Sequence, residues 1–155
     1  MRPTISEQLG GMRRVLAEVV APEVTGAYPA DMLRGVLATL EMLERSWTRV
    51  APFLAWDNER TEALLRAIAP HVDRPLAARI DATLGDVPVD VLDVDALDAR
   101  NTELRALLAD AVPALAAADD GTPAAAVYAE VRNHLRERVE RFPLSMSAPM
   151  PGTAR

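Results

Sequence analysis

Apolar positions recur every three or four residues along most of this 155-residue chain. That is the period of a helix with one buried face. Ile5, Leu9, Met12, Leu16 and Val19 predict a first helix. Thr4 and Glu7 have capping-box spacing at its start, and Pro22 ends it. The Gly10-Gly11 pair inside it costs about 1 kcal/mol per residue against Ala, so it implies a closely packed neighbour or a bend. Leu33, Val36, Leu37, Leu40, Leu43, Trp47 and Val50 predict a second helix. Pro29 suits its start, Glu41 and Arg45 form a surface pair, and Pro52 interrupts it. Asp57 is expected to cap a third helix, with Leu64, Leu65 and Ile68 inward and Pro70 as its stop. A short fourth helix follows Pro75 through Leu76, Ile80 and Leu84, with Gly85 expected to close it in a left-handed conformation.

In residues 86–98 Val alternates with Asp. One extended segment with no partner is not a sheet, so these residues predict a loop leading to a fifth helix, about Asp95 to Ala117. Leu97, Leu104, Leu108, Ala111 and Leu115 form its stripe, with Asn101 on the same face. Pro113 is expected to kink it or end it early. After a break at Ala118 to Thr122, Thr122-Pro123 starts the last helix. Tyr128, Val131, Leu135, Val139 and Phe142 predict its buried seam. From Pro143 the chain is Pro-rich, which predicts an extended or disordered tail. The expected fold is all-α: a single-domain bundle of about five or six helices over residues 1–142, with a tail over 143–155.

Composition narrows the chemistry. Half the chain is hydrophobic but only 4% is aromatic, so the core must be aliphatic. A net charge of -6 argues against nucleic acid as a partner. No apolar run is long enough to predict a membrane span. The start, MRPTISEQ, lacks the layout of a signal peptide, so the expected location is cytoplasmic. There is no Cys, all 17 basic residues are Arg, and the His are His71 and His134. This excludes disulfides and thiolate chemistry, Schiff-base and P-loop lysines, and argues against a metal site rich in imidazole.

No catalytic, cofactor-binding or metal-ligating constellation emerges. His71 and His134 have no partner at ligand spacing and are expected on the surface or the rim of the core. The run Asp86, Asp90, Asp93, Asp95 and Asp98 lacks the spacing of a cation loop and suits the capping of the fifth helix. Glu41 and Glu44 have no answering Glu-x-x-His for a di-iron site. No Gly-x-Ser-x-Gly elbow exists. An enzyme acting through carboxylates would need a buried, pKa-shifted Asp or Glu in a cavity, and nothing in the sequence selects one. Two clusters remain. Arg132, Arg136 and Arg138 (with Arg141 nearby) are candidates for contact with an anion or a partner, set against a solvated face of weak ion pairs. Trp47, Phe53 and Trp56 either plug the core or form a partner interface.

Several segments resemble a known family: Arg2-Pro3-Thr4 with Leu9, Leu16 and Pro22, and the stretch Arg34 to Arg45 ending Met42-Leu43-Glu44-Arg45. Asn101 with Leu104-Arg105, and His134-Leu135-Arg136 to Pro143, complete the pattern. The chain is similar to the small helical bacterial proteins that accompany aminoglycoside-phosphotransferase-like kinases, often beside acyl-CoA dehydrogenases. In levulinate catabolism such a protein associates with a kinase of 4-hydroxyacyl-CoA. The chain departs from that pattern at Ala38 and Phe142, where the family carries Asn. The resemblance implies a non-catalytic accessory subunit of such a kinase, with no cofactor, and carries no catalytic residue over. The alternative is a stand-alone homodimeric bundle with a structural or ligand-sensing role.

Overall fold

The computed structural model describes residues 3–85, 90 and 92–143. All regular structure among them is helical. Helix α1 spans Ile5–Val15, followed by a π-helical turn, Leu16–Val20, and a 3-10 turn, Ala21–Glu23. Helix α2 spans Ala27–Ile68, α3 Arg74–Leu84, α4 Val94–Ala116 and α5 Pro123–Arg141. No helix among the described residues is long and apolar enough to cross a membrane. The chain divides into two compact units, residues 1–49 with 143–155, and residues 50–142.

In the first unit α1 and the start of α2 form an antiparallel hairpin. The capping box closes α1 as its spacing predicts: Glu7 N donates to Thr4 Oγ1 and Thr4 N donates to Glu7 Oε2. The chain reverses at Gly26, whose φ of 100° suits only glycine. Trp47 Nε1 donates to Ser6 Oγ at 2.9 Å, and Arg13 pairs with Glu44 at 3.2 Å. A Cβ on Gly10 would stand 3.0 Å from Glu44 Oε1, whereas one on Gly11 would meet nothing within 4 Å. Only Gly10 therefore reflects close packing. Arg49 Nη2 reaches the carbonyl of Pro143. The rest of the expected tail, 144–155, lies outside the described residues.

The second unit holds the core. Leu64, Leu65 and Ile68 of α2 pack with Ile80 of α3, with Leu104, Leu107, Leu108, Ala111 and Leu115 of α4, and with Val131 of α5. A smaller cluster joins Phe53 and Leu54 to Leu97. Asp73 caps α3, Asp93 caps α4 and Thr122 caps α5, each accepting from an amide three residues on. Asp95 sits in the first turn of α4, so this part of the acidic run favours the positive end of a helix.

Four expectations need correction. Pro52 does not divide the second and third helices; α2 runs through it. Proline removes the donor to the Thr48 carbonyl, but both residues are exposed and water can serve that oxygen. Pro113, in the last turn of α4, is likewise exposed, and α4 ends three residues beyond it, close to the expected Ala117. Asp57 is therefore no cap but a fully buried mid-helix residue. Gly85 ends α3 in a right-handed conformation, φ -83°, with its amide bonded back to Asp81 and Ala82. The seam of α5 is also turned. Leu135 and Val139 are 41% and 71% exposed, while His134 is 2% exposed. Residues 86–89, in the expected loop, lie outside the described residues.

Candidate functional site

Within the second unit three helices converge on one carboxylate. Asp57, Asn58 and Thr61 come from α2, and Asn101 from α4. His134 and Arg138 come from α5, four residues apart and so on one face. Asp57 and Thr61 share a face of α2 by the same spacing. Asp57 Oδ2 accepts from Asn101 Nδ2 at 2.7 Å and from Arg138 Nε at 2.8 Å. Asp57 Oδ1 lies 3.1 Å from His134 Nε2. Thr61 Oγ1 is 3.3 Å from the same Nε2. Asn101 also donates to Asn58 Oδ1 at 2.8 Å, and Asn58 Nδ2 donates to the carbonyl of Leu97 at 3.0 Å.

Aromatic rings close over this network. The Trp56 ring lies 5.4 Å from that of His134. Phe53 stands between Trp56 and Phe142, edge-on to the latter at 5.5 Å. The Arg138 guanidinium lies over Phe53 and that of Arg141 over Trp56, at 5.6 and 4.5 Å from the centroids, where the negative ring faces attract them.

Burial pushes the Asp57 carboxyl up. The imidazole of His134, the amide of Asn101 and the guanidinium of Arg138 together outweigh it and hold the group at about 2. Asp57 therefore stays ionised at neutral pH. A general base works best when its pKa lies near the working pH, and Asp57 lies far below. Its chemical effect is to tie α2, α4 and α5 together through charge-assisted bonds. His134 Nδ1 is buried with no hydrogen-bond partner among the described residues.

The candidate residues from the sequence separate. Phe53 and Trp56 belong to the aromatic cover in the second unit; Phe53 is buried and Trp56 half-buried. Trp47 belongs to the first unit, half-buried against Ser6. Arg138 turns inward to Asp57, while Arg132 and Arg136 stay exposed. These two, with Leu135, Val139 and Glu140, line an open groove of about 400 Å³ along α5. Arg136 donates to Asn133 Oδ1. His134, expected on the rim, lies in the interior instead, because the ionised Asp57 draws it there. His71 ends the 3-10 turn after α2, half-buried. Asp57 and Asn58 were missed as site residues. The available signal was the pairing of Asp57 with Thr61 and of His134 with Arg138 at helical spacing, with Asn101 on an apolar face.

Among the described residues no group of three or more His, Asp or Glu could hold a metal ion. No family model, curated protein or solved structure matches the chain.

Proposed function

We propose that the chain is a cytoplasmic, non-catalytic interaction subunit, and that its partner is an aminoglycoside-phosphotransferase-like kinase of hydroxyacyl-CoA or acyl-CoA catabolism. The supporting observation is the groove on α5. Leu135 and Val139 are large aliphatic residues held in solvent, with Arg132 and Arg136 beside them. A ridge of aliphatic side chains rimmed by guanidinium groups suits a protein surface bearing carboxylates, since Arg is enriched at interfaces and binds carboxylate in a fork. The side chains with the strongest acid-base chemistry, Asp57 and His134, are spent inside the core. The identity of the partner follows the family resemblance.

Co-expression with a kinase of that class, followed by size exclusion, tests the reading. The expected result is co-elution, lost in the double variant Arg132→Glu with Val139→Asp while its helical circular dichroism is unchanged. Separate elution of the wild-type chains, with kinase activity the same in the absence of this subunit, would overturn it.

A further inference from the structure

Residues 3–49 of the first unit form a hairpin that buries no apolar side chain. Among its described residues only Ser46 is buried within residues 3–49. Two helices meet along one seam, and a seam cannot enclose a core. In α1 the half-buried Leu9 and Arg13 mark that seam, and in α2 Leu33, Leu37, Leu40 and Glu44 mark it. Next to the seam on α1 stand Ile5, Met12 and Val15, and next to it on α2 stand Tyr28, Met32 and Val36. All six are about half exposed or more, Tyr28 reaching 74%. At about 100° per residue, each row is displaced from its seam in the same rotational sense. Because the two helices are antiparallel, equal rotation places both rows on one side of the hairpin as one diagonal ridge: the contacts of Ser6 with Trp47 and Arg13 with Glu44 set α1 beside that stretch of α2, and Tyr28, Met32 and Val36 continue the ridge farther along α2.

That side is uncharged. The other positions in the same sector are Gln8, Gly35, Thr39, the half-buried Leu43 and the buried Ser46, where the exposed part of the face ends, and Thr39 Oγ1 donates to the Gly35 carbonyl within its own helix. The charges of the hairpin lie elsewhere, and several pair: Arg13 with Glu44, Arg34 with Asp31, and Arg45 with Glu41. A face with no charge does not repel its own image across a two-fold axis, and it offers nothing for a charged partner to select. With each of the six about half exposed or more, the face offers several hundred Å² toward the ~800 Å² that each partner contributes to a stable interface. A second copy laid on this face covers side chains that a single hairpin leaves in solvent.

We propose that this face binds a second copy of the same chain, giving a two-fold dimer in which the two hairpins cover each other's exposed apolar side chains. The contact is isologous, each Met12 and Met32 meeting the same patch of the other copy. It uses a different surface from the α5 groove and stands independently of the kinase.

The test uses the purified full chain alone. Light scattering at micromolar concentration is expected to give twice the mass of 16.8 kDa. Placing a carboxylate in the apolar face, as Met12→Glu with Met32→Glu, is expected to raise the dissociation constant by roughly 100-fold or more. Both positions are exposed in the single chain, so its helicity should persist; Val36→Glu serves as a second variant. Arg132→Glu with Val139→Asp should leave the dimer intact. The chain has no Cys, so a single Val36→Cys variant can carry a spin label and report one distance between copies. A wild-type monomer, or a dimer that survives Met12→Glu with Met32→Glu and shows no short distance at position 36, would overturn the proposal.

Discussion

Residues 5–49 and residues 50–142 use the same few side chains, with opposite results. Among the described residues, the second unit buries thirteen apolar side chains to under a tenth of their surface, together with five of the six buried polar residues. The first unit has a strongly one-sided α1, a satisfied capping box and a close contact at Gly10. Its leucines are nevertheless only half-buried. Helix-forming pattern is thus not what separates the two. The number of helices available to surround a side chain does. With segments of α2, α3, α4 and α5, a leucine finds neighbours on every side; with two helices it finds them on one. A local pattern makes a helix, but only a third and fourth element make an interior.

Substitutions can break this contrast. The largest effect is expected at Asp57. Asp57→Ala leaves Arg138 and His134 facing an empty, buried site, and should cost about 3–5 kcal/mol in chemical unfolding. A loss under about 1 kcal/mol would mean that the network is incidental to stability. Next comes a matched pair of truncations. Leu104→Ala, fully buried in α4, should cost about 2–5 kcal/mol, while Leu37→Ala in the hairpin should cost roughly half as much or less at concentrations where the chain is monomeric. Equal costs would erase the distinction between the units.

Acid provides a third probe. Folding lowers the Asp57 carboxyl from 3.8 to about 2, so the native state binds this proton more weakly than the unfolded chain. The stabilisation is complete above about pH 5 and is lost as pH falls from about 4 to 2, amounting to about 2 kcal/mol. Urea midpoints measured against pH should show that slope in the wild type and lose this part of it in Asp57→Asn. The smallest effect is expected at the glycines. Gly11→Ala meets open space and should stabilise the hairpin by up to about 1 kcal/mol. Gly10→Ala must displace the Glu44 carboxylate and should gain less. Identical gains, read from thermal midpoints, would show that the hairpin is looser than its contacts indicate.

Helix existence was legible because its signals are local. Thr4 with Glu7, Thr122 with Pro123, and the leucine stripe of α4 all lie within a few residues of what they determine. What was illegible depended on distant partners. Pro52 is a stop signal for an isolated segment, yet α2 passes through it at an exposed position. The seam on α5 was assigned by hydropathy to Leu135 and Val139. A scale that scores imidazole and guanidinium as polar cannot know that an ionised carboxylate waits for them 77 and 81 positions earlier. The resulting error is about one residue of helix rotation, enough to exchange an interior face for an exterior one. Of the candidate clusters, neither the aromatic group nor the Arg group stayed whole, because neighbours in sequence fall into different units or onto different faces.

The buried network also bears on uniqueness. The core is built from Leu, Val, Ile and Ala, and 28 of the 155 residues are Ala. Such surfaces are nearly interchangeable: a helix slid by one turn still sets aliphatic groups against aliphatic groups, with little change in energy. Asp57 is different, because only one setting of α5 brings both His134 and Arg138 to it, and only one setting of α4 brings Asn101. Every slipped arrangement leaves a charge in the interior with nothing to bind. The carboxylate thus works as a key in a lock of grease: the aliphatic side chains supply the cohesion, and Asp57 determines which of many cohesive arrangements is the native one.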